Sequence, residues 1–196
     1  ARWARGCLES ARLRAGRNLN VQYPIFHVQA GRGMKVLGID ASLRGTGLAV
    51  IELEGSRLAA RHWEVVKMPP KAPHSECLRT IRARMDAVLA EHRPAAAAVE
   101  GGFFFKNAKV AMVLGEVRGV AIASCAAAGV PVFEYSPRRA KQNVTGWGAA
   151  PKEQVAKMVK AVLGLAEIPP ADATDAFALA LCHAQTRRDV LPGEPI

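Results

Sequence analysis

Four acidic side chains stand at positions where an acid invites a chemical explanation. Asp40 and Glu100 each close a short apolar run, Lys35-Val-Leu-Gly-Ile-Asp40 and the stretch from Ala95 to Glu100. Runs this apolar suit strands buried on both faces. Sites in open α/β sheets gather at the carboxyl ends of strands. If these two strands are parallel neighbours, their terminal carboxylates lie about 5 Å apart. Two such acids repel unless one is protonated or a cation bridges them. Asp172 and Asp175 follow in Asp172-Ala-Thr-Asp175, and i, i+3 spacing puts both on one helix face. A ligand set made only of carboxylates suits Mg²⁺ or Mn²⁺. If the two pairs meet, they could support two-metal cleavage of a phosphodiester. Plainer roles exist for each acid alone. A strand-end acid can bond loop amides, and an acid in the first turn of a helix answers the helix dipole. The set carries the chemical reading.

Other residues are weighed against this cluster. His183 falls on nearly the same helix face as Asp172, but eleven residues at ~1.5 Å rise place it roughly 16 Å away. It cannot share a metal with Asp172, so a partly buried, hydrogen-bonded histidine is expected. Gly115 and Gly119 lie inside an apolar helix and follow no strand, so close helix or subunit packing is expected rather than a phosphate loop. Phe103-Phe-Phe105 opens a loop directly after Glu100 and could stack on unpaired bases; a core plug is the alternative.

The elements that must position these residues follow from pattern. Strands are expected at Lys35 to Asp40, Leu48 to Leu53, Leu58 to Met68, Ala95 to Glu100 and Val130 to Tyr135. Gly45 and Gly47 mark a turn before the second strand. Helices are expected from Ser75 to His92, Asn107 to Ala128, after the Ser136-Pro137 cap, after Pro151, and from Ala171 to Thr186. Three strands with short connections, then strand–helix alternation, imply a five-stranded mixed α/β sheet flanked by helices, its first, fourth and fifth strands parallel.

The chain of 196 residues is half apolar and 22% charged, an ordinary globular composition. No run reaches the ~18 apolar residues of a membrane span. Four scattered cysteines without a C-x-x-C pair suit a reducing compartment. The net charge is +10. Residues 1–33 hold six arginines and one acid, and lack sustained periodicity; they are expected to be a basic extension outside the fold, with Met34 as the natural start. Residues 34–188 form the domain, and 189–196 a loose tail. Between 136 and 160, Arg138, Arg139, Lys141, Lys152, Lys157 and Lys160 face Glu153 alone, which suggests a surface for a polyanion.

In this order the residues resemble the RuvC family of Holliday-junction resolvases. The runs that carry the resemblance are Val36-Leu-Gly-Ile-Asp40, Val99-Glu100, Phe103-Phe-Phe-Lys-Asn107, Leu114-Gly-Glu-Val-Arg-Gly119, Pro131-Val-Phe-Glu-Tyr-Ser136, Lys141-Gln142, Lys152-Glu-Gln-Val155 and Asp172-Ala-Thr-Asp175 with Ala180-Leu-Cys-His183. The resemblance implies a ribonuclease H-like fold, a homodimer, and Mg²⁺-dependent symmetric nicking of four-way junction DNA, with RuvA and RuvB as partners. It implies Asp40, Glu100, Asp172 and Asp175 as catalytic, metal-holding carboxylates. Phe103 would contact unpaired bases at the crossover, and Lys141 and Lys152 would hold phosphates. Lys106 and Arg138 join them as DNA-binding candidates. Ala41-Ser42 replaces the family's usual Pro-Gly, and Gly101-Gly102 a commonly bulkier pair. Two rival readings are a nuclease of the same fold acting on structured or precursor RNA, and a junction-binding protein without catalysis.

Overall fold

The computed structural model describes residues 33–101, 107–186 and 194–196. Five strands form one sheet: β1 (Met34–Asp40), β2 (Gly45–Glu54), β3 (Arg57–Lys67), β4 (Ala96–Glu100) and β5 (Val132–Tyr135), in the order β3-β2-β1-β4-β5. β1, β4 and β5 run parallel, and β2 and β3 are antiparallel to their neighbours, as the connection lengths predict. The helices are α1 (His74–His92), α2 (Ala108–Ala127), α3 (Pro137–Thr145), α4 (Lys152–Leu163) and α5 (Ala171–Gln185).

Strand periodicity sorts the core into two sides. Leu37, Ile39, Leu48, Val50, Ala97 and Val99 point to α1 and α2, against Ile81, Met85, Val88, Val117 and Ala121. Val36, Ala49 and Ile51 point the other way, to α4 and α5, against Val155, Val159, Phe177 and Leu181. Ala98 and Tyr135 share that second side with Ala140, Leu179 and Cys182.

The second strand starts at Gly45, so the glycine pair expected to form a turn lies in the ladder, with Gly47 opposite Asp40. The reason is a tertiary contact. A Cβ on Gly47 would overlap the main-chain oxygen of Asp172, and one on Gly38 would overlap that of Ala176. Glycine at both places lets the backbone of α5 rest directly on the sheet.

Three further expectations are qualified. Gly115 and Gly119 face open space among the described residues, because α2 packs through Val117, Ala121 and Cys125 instead; of the two readings, helix or subunit packing, only the one within the chain is set aside there. α2 is long and apolar enough to cross a membrane by length and composition. Glu116 and Arg118 interrupt its apolar run, which is why the run length did not show it; here it lies along α1 in the α/β layer. The end of the chain is not wholly loose, since the Ile196 amide donates to the Val132 carbonyl (3.0 Å). The expected extension up to residue 32, and residues 187–193, lie outside the described residues.

Gly47→Ala is expected to push α5 off the sheet. The stability loss should be about 1–3 kcal/mol, seen as a lower urea midpoint at unchanged m-value.

Candidate active site

The sheet register builds the site. Ile39 pairs with Val99 across the parallel β1–β4 ladder, so Asp40 and Glu100 leave the same end of adjacent strands. Both have the parity of Val36 and Ala98, which turns them toward the side covered by α5. The start of α5 supplies the other two acids. The helix begins after Pro170 with no side-chain cap, so neither Asp172 nor Asp175 serves as its N-cap. Close packing over Gly47 puts Asp172 above β2, and a Cβ at Gly45 would stand 2.8 Å from Asp172 Oδ2. All four carboxylates are partly buried.

The loops that follow the strands are fastened. After Asp40, the fully buried Thr46 hydroxyl donates to the Ser42 carbonyl (2.6 Å), holding Ala41-Ser42 in place without the Pro-Gly pair. After Glu100, the Gly101 amide donates to the Tyr135 carbonyl (2.9 Å) and ties the strand end to β5.

The electrostatics show that the acids share one field. Burial first, then the charges of Asp175, Glu100 and Asp172, push the Asp40 carboxyl up to about 7. Burial and Asp175 raise Glu100 as well. Lys152 opposes both shifts, and Lys141 opposes that of Glu100. Lys152 Nζ lies 2.9 Å from Asp175 Oδ2, a bond that raises the lysine in turn. Among the described residues, no three acidic, imidazole or thiol side chains converge on one point as a closed chelate. Asp175 is engaged by Lys152, and the remaining like charges stand apart while still sensing one another. The donor set fits a hard divalent cation: it is all carboxylate, and two of its members are held above their ordinary pKa by burial and by one another's charge.

His183 meets its expectation. It is buried on α5, with Nδ1 2.9 Å from the Tyr135 hydroxyl, and burial lowers its pKa to about 4. Phe103 and Lys106 lie outside the described residues. Arg138 is exposed on α3, and Lys141 sits one turn further along the same helix toward the acids. The structural part the sequence reading missed is the pair Gly38 and Gly47. Their signal was small residues inside apolar runs, at the places where a helix backbone touches the sheet.

The fold defines a ribonuclease H-like α/β protein, with four carboxylates that share one electrostatic field at the end of its sheet. A family model described as "Crossover junction endodeoxyribonuclease RuvC" matches residues 36–183. A relative of that name from Myxococcus xanthus is 45% identical over 161 residues, covering 81% of this chain and 84% of its own. One from Trichlorobacter lovleyi is 47% identical over 150 residues, covering 76% and 84%. The solved structure titled "T. thermophilus RuvC in complex with Holliday junction substrate" superposes with a TM-score of 0.77 at 40% identity, covering 83% of this chain and 99% of that one. The chain belongs to the RuvC family.

In the cation-free protein, Asp40 makes stability depend on pH. Its folded pKa lies above the unfolded value of 3.8, so the native state binds the extra proton between about pH 4 and 7. The Asp40 contribution to stability is therefore fully present below that window and is lost as pH rises through about 7. Asp40→Asn should remove the penalty and raise cation-free stability at pH 8 by on the order of 3 kcal/mol, with little change at pH 4, measured by urea unfolding at both pH values.

Proposed function

We propose that the protein is a structure-specific endodeoxyribonuclease that resolves four-way DNA junctions during recombination and repair, nicking two strands symmetrically. The observation that carries this is the gathering of Asp40, Glu100, Asp172 and Asp175 at one sheet end, in a chain of this family. The four carboxylates would hold the cation, Mg²⁺ with Mn²⁺ as its chemical neighbour. When bound, such ions lower the pKa of water and stabilise a leaving oxygen. Lys152, anchored by Asp175, and Lys141, beside Glu100, offer positive charge to phosphates entering the site. Phe103, by resemblance, contacts unpaired bases at the crossover. The basic stretch from 136 to 160 binds backbone phosphate, which makes affinity fall with salt.

Cutting two strands symmetrically calls for two sites related by a two-fold axis. Met112, Gly115, Gly119 and Ala123 are all exposed along one stripe of α2, and Met112 is 69% exposed. That stripe supports a homodimer through α2. Cys77, Cys125 and Cys182 are free and buried, in keeping with a reducing bacterial cytoplasm. Partnership with RuvA and RuvB rests on the resemblance alone.

Asp40→Asn is expected to keep junction binding and abolish nicking. A gel assay on a synthetic four-way junction, with Mg²⁺ or with EDTA, checks both halves. Nicking by the variant, or by the parent in EDTA, would refute the cation-holding role.

A further inference from the structure

The turn from α3 to α4 displays an aromatic ring that none of the chemistry above employs. The Trp147 indole is 57% exposed. Its backbone is nevertheless fastened on both sides. The Trp147 amide donates to Thr145 Oγ1 (3.1 Å), and that hydroxyl lies 2.8 Å from the Lys141 carbonyl. The Trp147 carbonyl accepts from the Ala150 amide (3.1 Å). Gly146 caps α3 in the left-handed conformation (φ 79°), which favours glycine. Gly148 is required by contact, since a Cβ there would stand 2.6 Å from Arg138 Cγ. The turn holds its indole in solvent on a rigid frame, with the Arg138 stem beside it.

A cavity of about 500 Å³ opens at this turn, lined by Pro137, Arg138, Lys141, Gln142, Trp147 and Gly148 among others. It combines an aromatic face, two cations and one amide. Neither Arg138 nor Lys141 has an ion-pair partner among the described residues. α3 begins two residues after Tyr135, the register partner of Glu100, so the cavity adjoins the end of the sheet that carries the acids. This combination of stacking surface and cations is what a single-stranded nucleotide needs.

We propose that this cavity is a nucleotide subsite for the strand being cut. An unpaired base stacks on Trp147, Arg138 and Lys141 hold its flanking phosphates, and Gln142 offers a donor and an acceptor to the base edge. Bases inside a duplex have both faces covered by neighbours, so the subsite takes only a base freed at a branch. It adds junction selectivity and little base identity, because every base has a π-face. The inference rests on the nuclease reading above and deepens it.

The test uses the full chain and a synthetic four-way junction carrying 2-aminopurine beside the crossover, in EDTA, against a linear duplex of the same length. Trp147→Ala should lose about ten-fold or more in junction affinity by anisotropy while duplex affinity stays within about two-fold. It should also lose the quenching of 2-aminopurine. Trp147→Phe should restore both, and the melting temperature and oligomeric state should not move in either variant. Unchanged junction binding by Trp147→Ala, equal loss on both DNAs, no recovery with Phe, or a changed oligomeric state would each overturn the subsite. A parent protein without preference for the junction over duplex would instead overturn the nuclease reading on which the subsite rests.

Discussion

Like charges do not collect at one end of a sheet unless something stronger than their repulsion holds the backbone beneath them. Here the holding force is contact between the main chain of α5 and the strands. Gly38 and Gly47 leave no side chain between the sheet and the Ala176 and Asp172 carbonyls. The helix is buried almost throughout, from Ala173 to His183, and that apolar contact fixes where its first turn points. Asp172 and Asp175 are carried to Asp40 and Glu100 by this packing, which begins at the Asp172 carbonyl and runs along the helix. The result is a raised pKa at Asp40, set first by burial and then by the charges of its neighbours. A positive charge placed between the acids would relieve that repulsion.

The parts of this arrangement that depend on local pattern were legible in the sequence. Short, mainly apolar runs ending in an acid pointed to β1, β4 and their terminal carboxylates, because a strand buried on both faces leaves little room for a polar residue before its end. The i, i+3 spacing of Asp172 and Asp175 needs only helical geometry. The parts set by contact across the fold were not legible. Gly45 and Gly47 looked like punctuation, since nothing near them in sequence announces that a helix 125 residues away will touch Gly47. Gly115 and Gly119 looked like a packing seam, within the chain or between subunits, and the seam within the chain is on another face of α2, through Val117, Ala121 and Cys125. The openness of the acid set was hidden as well. Whether Asp175 turns to its fellow acids or to Lys152 depends on where α4 begins, which spacing does not encode.

The two sides of the sheet divide the work. Odd-numbered positions of β1 and β4 bury Leu37, Ile39, Ala97 and Val99 under α1 and α2, and among the described residues the outer stripe of α2 is exposed. Even-numbered positions carry Asp40 and Glu100 toward α5, and α3 and α4 add Arg138, Lys141 and Lys152 on that same side. A second copy docked on α2 therefore meets the opposite side of the sheet from the acids and the basic residues, and covers neither. Strand alternation, a period of two in the chain, thus separates the exposed stripe of α2 from the acids and the basic residues, so that in the proposed dimer a partner copy and DNA would meet different surfaces. A two-fold axis through the α2 stripes would leave both acid clusters open at once, the arrangement that paired cuts in a branched substrate require.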